Sequence, residues 1–360
     1  MTTAPHKREA LRDYAEPIDD PALAEGSTDP SLWRRVFNLR TLVSFVAAGA
    51  ILWFLFTRMN LNLGDIWAQV RQADLKLFLL AAVIYYSGFP LRAVRWRMLL
   101  QNVERSDAHS TGQVIYPGIP RLSEILLLSW FANCVVPAKI GDFYRAYLLK
   151  EDCGVSFART TGTIVAERMI DLIILFALLL VSAIGVLQGM STDRALVTEN
   201  ILLIGLVLVA ILLAGLLFLR IFGRRAERLL PKRIAGLWYR FQHGIVGSFH
   251  LRQFPLVATL TVAIWLTEAG RLYFVTQSLG AQLGLAVIIF VALANSLLTA
   301  VPATPGGLGV VEAGVITLFA LIGVPDDTAA AITLLDRTIS YWSLIAVGLV
   351  TYLLAFRHRR

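Results

Sequence analysis

Residues 285–323 read LAVIIFVALANSLLTAVPATPGGLGVVEAGVITLFALIG. An apolar run over 285–301 stops at Pro302, Pro305, Gly306, Gly307 and Gly309, and a second run continues to Ile322. Proline has no N–H to donate and glycine gives up helix propensity, so one helix does not continue through this stretch. At membrane depth such a break is tolerated only where protein or a water-filled cavity satisfies the freed backbone. The stretch therefore reads as a re-entrant hairpin rather than a span. Residues 122–149, LSEILLLSWFANCVVPAKIGDFYRAYLL, follow the same plan. An apolar run ends in Asn133, Pro137, Lys139, Gly141 and Asp142, and a short helix-like return follows.

The remainder of the chain sets the class. The 360 residues are 57% hydrophobic and 16% charged, with a mean hydropathy of +0.66. Soluble domains sit near ~45–50% apolar and ~25% charged. A disordered protein, a disulfide scaffold and an ordinary cytosolic enzyme are thereby excluded, and an all-α polytopic membrane protein is left. Each span needs ~20 mostly apolar residues. Blocks at 41–57, 76–94, 162–188, 200–219, 254–277 and 330–356 supply about six full transmembrane helices beside the two hairpins.

Charge placement supports this count. With the N-terminus inside, 26 of the 33 Lys and Arg fall on inside segments and 4 on outside ones. Turning either hairpin into a span would switch the side of every later loop and destroy that bias. The expected location is the inner (plasma) membrane, with both termini cytoplasmic. Residues 1–40 are polar, carry Pro5, Pro17, Pro21 and Pro30, and read as a flexible cytoplasmic tail with a short basic interfacial helix over 32–39. They have no apolar core of the kind a cleavable signal peptide needs. Residues 357–360 form a basic cytoplasmic end. The net charge of +8 is assigned to orientation and anionic lipid headgroups, not nucleic acid. Cys134 and Cys153 have no metal or disulfide spacing.

The two halves echo each other. Ala132-Asn133 and Pro137-Ala138-Lys139-Ile140-Gly141-Asp142 are matched by Ala294-Asn295 and Pro302-Ala303-Thr304-Pro305-Gly306-Gly307. Thr163, Glu167, Arg168 and Asp171 are matched by Thr333, Asp336, Arg337 and Ser340. With the topology above, the first hairpin enters from inside and the second from outside. That is the trace of an inverted-topology repeat, about 41–188 and 200–356 within a membrane domain over 41–356. Paired Gly/Pro interruptions in such repeats point to the substrate site.

Charges inside spans cost ~2.5–3.5 kcal/mol near the centre and need a reason. Glu167, Arg168 and Asp171 share one helix region, Asp336 and Arg337 take the matching place, and Glu268 and Arg271 precede the second hairpin. Lys139, Asp142 and Arg145 sit at the first break, and Thr304 and Glu312 at the second. On the functional reading they line a polar cavity. Lys139, Arg145, Arg168, Arg271 and Arg337 bind a phosphate-bearing headgroup, and Glu167, Asp171, Asp336 and Glu312 balance the empty site or couple to protons. On the competing reading the pairs lock spans together or snorkel to the interface, and Asn133 and Asn295 only satisfy backbone at the breaks.

Other features read more simply. Arg92, Arg95, Trp96 and Arg97 read as an interfacial anchor closing the second span, or as an entry point for headgroups. The mixture of Arg, Lys, Leu237, Trp238, Tyr239 and Phe241 within 220–252 reads as an amphipathic membrane belt. A similar segment covers 64–78 on the outer side. Residues 305–309 lack the ending of a phosphate-cradling nucleotide loop. The five histidines lie in tails and loops, and no nucleophile–base pair or metal spacing stands out. The expectation is no cofactor and no enzymatic activity.

Taken together, Asn133-x3-Pro137-x3-Gly141-Asp142-x2-Arg145, Glu167-Arg168-x2-Asp171, the run from Pro302 to Gly309 with Glu312, and Asp336-Arg337 resemble the flippase-like membrane region of lysylphosphatidylglycerol synthases. The resemblance covers residues 40–356 and implies lipid translocation. In the full synthases a separate soluble domain performs aminoacyl transfer. Here the sequence ends at Arg360, so that activity is not carried over. The resulting expectation is a translocase for a phosphate-headgroup lipid or polyprenyl-phosphate carrier, with membrane lipids as partners and possible homo-oligomerisation. The alternative is an accessory subunit of an envelope lipid synthase or glycosyltransferase.

Overall fold

The computed structural model describes residues 61–106, 114–136, 139–187, 231–300 and 304–358, with scattered positions between 46 and 57 and between 203 and 222. The expected tail 1–40, Pro137 and Pro302 lie outside the described residues, as do most of the expected spans at 41–57 and 200–219. All regular elements among the described residues are helical.

An amphipathic helix α1 (Leu63–Gln72) is capped by Asn62, whose side chain accepts from the Gly64 N–H. Then comes a long helix α2 (Leu75–Ser106), a short pair α3 (Ile119–Val135) and α4 (Ile140–Cys153), and a long helix α5 (Phe157–Leu187). After α6 (Lys232–Ser248) the pattern repeats: α7 (Phe254–Ser278), a short pair α8 (Leu285–Ala300) and α9 (Val310–Ile322), then α10 (Asp326–Arg337). A π-helical stretch Thr338–Ser343 carries α10 into α11 (Leu344–His358).

Length separates the two kinds of helix. At ~1.5 Å per residue, α3, α4, α8 and α9 each fall short of a ~30 Å hydrocarbon core, whereas α2, α5 and α7 exceed it. By length and composition, four helical stretches among the described residues are apolar enough to cross a membrane: Leu75–Ser106, Phe157–Val186, Pro305–Ile322 and Asp326–Ala355. The third counts the break at Pro305 together with α9.

The interruptions have local causes. Asn133 Oδ1 accepts from the Gly141 N–H at 2.8 Å, and Ser129 Oγ donates to the Gly141 carbonyl at 2.8 Å. A Cβ on Gly141 would stand 1.9 Å from the Ser129 carbonyl oxygen, so only glycine lets α4 come this close to α3. At the second break Thr304 Oγ1 donates to the Leu308 carbonyl, and Glu312 accepts from the Gly309 N–H at 2.5 Å. The two breaks meet. Gly306 lies against the Cys134 backbone, and the Tyr341 hydroxyl donates to the Cys134 carbonyl at 3.2 Å.

Two sequence readings are corrected here. The Arg92–Arg97 run is not the end of a span, because α2 continues to Ser106. Arg92, Arg95 and Trp96 are buried. Charged residues interrupt the apolar block without interrupting the helix. The amphipathic helix α6 is only partly a belt. Gly162 of α5 and Gly244 of α6 pack backbone to backbone, while Ile234 and Leu237 on α6 stay exposed.

Candidate functional site

The breaks, α2, α5, α7 and the π-helical stretch enclose a cavity of about 390 Å³. Its volume falls in the ~300–1,000 Å³ range of small-ligand sites. Ion pairs organise its walls in two matched sets.

In the first set, Arg95 of α2, 1% exposed, donates to Glu167 Oε1 at 2.9 Å and to Thr261 Oγ1 at 2.9 Å, and also pairs with Asp171. Arg145 of α4 donates to Glu167 Oε2 at 2.8 Å and lies 4.7 Å over the Trp96 ring. Arg168 of α5 donates to Asp142 Oδ1 at 3.0 Å. In the second set, Arg92 donates to Glu268 Oε1 at 2.6 Å. Arg271 pairs with Glu268 and donates to Asp336 Oδ1 at 2.7 Å. Arg337 donates to Glu312 Oε1 at 2.6 Å and to the Gly306 carbonyl at 2.9 Å.

The sets correspond across the halves. Asp142 is the third residue of α4 and Glu312 the third residue of α9. Each accepts from the arginine that follows the buried carboxylate of the next helix, Glu167-Arg168 in one half and Asp336-Arg337 in the other. Breaking one of the fully buried pairs, Arg95–Glu167 or Arg271–Asp336, leaves an uncompensated charge and costs about 3–5 kcal/mol.

One cation has no such partner. Lys139 lines the cavity between α3 and α4, and no described carboxylate lies within ion-pair distance of its ammonium. Its backbone is left-handed, at φ 52° and ψ 39°, the only positive φ at a non-glycine among the described residues. By its place at the helix start the counterpart of Lys139 is not Thr304, as the sequence repeat aligned it, but the N-cap of α9, Gly309, at φ 84°. A side chain in that conformation costs roughly 1–2 kcal/mol. In and behind the cavity walls, seven cations (Arg92, Arg95, Lys139, Arg145, Arg168, Arg271 and Arg337) face six carboxylates. The surplus positive charge belongs to Lys139.

Of the residues expected from sequence, Asn133, Lys139, Asp142, Arg168, Asp171, Arg271, Asn295, Thr304 and Arg337 line the cavity. Arg145, Glu167, Glu312 and Asp336 stand behind it, holding its lining residues or packing against its wall. Asn133 holds the first break through Gly141, and Asn295 donates to Asp336 Oδ2 at 3.5 Å. Glu268, grouped with the cavity charges by the sequence reading, and Arg92, read there as an anchor or an entry point, face the cavity as well, as do Tyr85, Trp130, Trp265 and Tyr341, which the sequence reading did not place there. Arg92 and Arg95 stand three apart on one helix face. Gly88, one turn before Arg92, leaves the space its guanidinium fills, since a Cβ there would lie 2.4 Å from Nη1. Those two signals could have moved the arginines inward.

Fold and site together define an integral membrane protein built of helices, with a charged internal cavity where two interrupted helix pairs meet. The chain belongs to the lysylphosphatidylglycerol synthase TM region family, whose model matches residues 41–348. It is 33% identical over 228 residues to the UPF0104 membrane protein MJ1078 of Methanocaldococcus jannaschii, covering 63% of this chain and 95% of that one. A UPF0104 membrane protein of Methanothermobacter thermautotrophicus is 24% identical over 306 residues, covering 79% of this chain and 87% of the relative. Glycosyltransferase AglD of Haloferax volcanii is 24% identical over 348 residues, which cover 86% of this chain and 53% of AglD.

Proposed function

We propose that this protein is a non-enzymatic lipid translocase of the inner membrane. The headgroup of a phosphate-bearing lipid crosses through the cavity while its tails stay in the bilayer. The topology that serves this is six full spans and two re-entrant pairs, α3–α4 and α8–α9, in two inverted halves with both termini cytoplasmic. The observation that carries the reading is the surplus ammonium of Lys139. It faces the cavity with no described carboxylate at ion-pair distance, at a helix N-cap whose counterpart in the second half is glycine. An anionic ligand supplies the missing charge, and an ammonium binds phosphate as a point charge.

Lys139→Gly is the test. Glycine suits the left-handed backbone, so the variant folds while losing the charge. Proteoliposomes holding labelled phosphatidylglycerol are expected to show translocation by the native chain and at least about tenfold slower translocation by the variant, the equivalent of ~1.4 kcal/mol. Equal rates would overturn the proposal. A second reading, an accessory subunit of a glycosyltransferase system, is favoured by the alignment with about half of AglD. It predicts no translocation by the purified native chain and co-purification with a glycosyltransferase.

A further inference from the structure

The cavity is closed more tightly in one half than in the other. Arg168 is the twelfth residue of α5 and Arg337 the twelfth of α10, so inverted halves hold the two at matching depths from opposite faces. Both line the cavity. The Arg168 side chain keeps 36% of its surface exposed and the Arg337 side chain only 7%.

The residue four positions further on accounts for the difference. In the first half it is Leu172, which lines the cavity and carries no polar group to fasten anything. In the second half it is Tyr341. The Tyr341 ring is held between Arg337, whose guanidinium lies 4.7 Å from the ring centroid, and Gly306, where a Cβ would stand 2.6 Å from the ring. Its hydroxyl crosses to the other half and donates to the Cys134 carbonyl at the end of α3. Arg337 completes the closure by donating to the Gly306 carbonyl. One side chain thereby fastens the second break to the first.

Tyr341 stands on the π-helical stretch Thr338–Ser343. Such a stretch holds an extra residue within an α-helix and is frequent at functional sites. Relaxing it to α-helix shifts the register by one position, about 100° around the axis. That turn takes the ring off Gly306 and the hydroxyl off Cys134. In the closed position α2 steadies the stretch: Tyr85 donates to the Ser340 carbonyl at 3.3 Å, and Tyr86 shares a hydrogen bond with Ser343 at 2.8 Å. Two windings of one segment thus give a shut and an open position without unfolding α10 or α11.

Resting on the translocase reading, we infer that Tyr341, clamped by Arg337 and Gly306, is the gate of the cavity on the side of the second half, the outer side in the topology proposed above. The gate is shut here, and the side of Arg168 is open.

The test uses the full chain with Cys134 and Cys153 changed to Ser, which keeps the backbone carbonyl that Tyr341 meets. Ser296→Cys is the reporter, since Ser296 is half-buried and lines the cavity. The probe is sulfonatoethyl methanethiosulfonate, membrane-impermeant and anionic to suit a cationic cavity, added to intact cells or to inside-out vesicles. This parent chain is expected to react at least about tenfold faster in inside-out vesicles than in intact cells. Tyr341→Phe keeps the ring and loses only the hydroxyl. It is expected to speed labelling from outside about fivefold, the worth of one hydrogen bond. Gly306→Ala wedges the ring from its other side and is expected to speed labelling at least as much. The Tm of each purified variant shows that it is folded, and the two variants strike the contact from different residues. Labelling of the parent as fast from outside as from inside, or no rise in either folded variant, overturns the inference. Gated labelling with the sides reversed supports the gate and overturns the topology proposed above. Gated labelling without translocation in proteoliposomes defeats the translocase reading alone, and translocation with ungated labelling defeats only this inference.

Discussion

Arg95 shows most directly what a buried charge does here. It is 1% exposed and donates to Glu167, Asp171 and Thr261, so it ties α2 to α5 and α7 at one point. Arg95→Ala removes the cation and leaves two carboxylates buried near each other. The expected loss is about 3–5 kcal/mol, read as a lower Tm of the detergent-solubilised protein. Unchanged stability would mean that the carboxylates are already satisfied without it. Lys139 is the opposite case. Its left-handed backbone costs stability, so Lys139→Gly is expected to hold or raise Tm even as it removes the surplus charge.

At the scale of elements, each short pair is shaped by what lets two helices approach. The two helix breaks were legible in the sequence because proline and glycine cluster there, whereas the lone Pro90 stands inside α2 without interrupting it. The extent of α2 was not, because Arg92, Arg95 and Arg97 look like a boundary to any hydropathy window. The residues that neutralise them, Glu268 and Glu167, lie far along the chain. Helix α6 was read from its amphipathic stripe alone, and its docking on α5 needed the glycine crossing. A Cβ on Gly244 would stand 2.2 Å from the Arg159 carbonyl oxygen, and one on Gly162 would stand 2.2 Å from the Phe241 carbonyl oxygen. Gly244→Val is therefore expected to cost about 1–3 kcal/mol by overpacking, measured as a fall in Tm. The same substitution at Gly236 meets only the far end of the Arg240 side chain, at 3.8 Å, and serves as the tolerant control.

For the whole molecule, the proposed inverted arrangement would put the loop after α4 and the loop after α7 on opposite faces of the membrane. Arg92, Arg95 and Arg145 are buried and Lys139 lines the cavity, so four charges leave the inside tally, and the remaining bias of 22 to 4 keeps its direction. Single cysteines replacing Glu151 and Gln282, both exposed, test this in a background with Cys134 and Cys153 changed to Ser. A membrane-impermeant maleimide added outside intact cells is expected to label the cysteine at 282 and to reach the one at 151 only after lysis. Labelling of both from outside would rule out the inverted arrangement. Residue order alone determined the membrane class, the two breaks, and most of the ionisable groups around the cavity, because hydropathy and helix interruption are properties of short windows. The tertiary structure alone decided which carboxylate each cation meets and which cation has none. Those pairs join residues as far apart as Arg92 and Glu268, 176 positions along the chain, and a buried charge is neutralised by whatever packing brings near it, not by its neighbours in sequence.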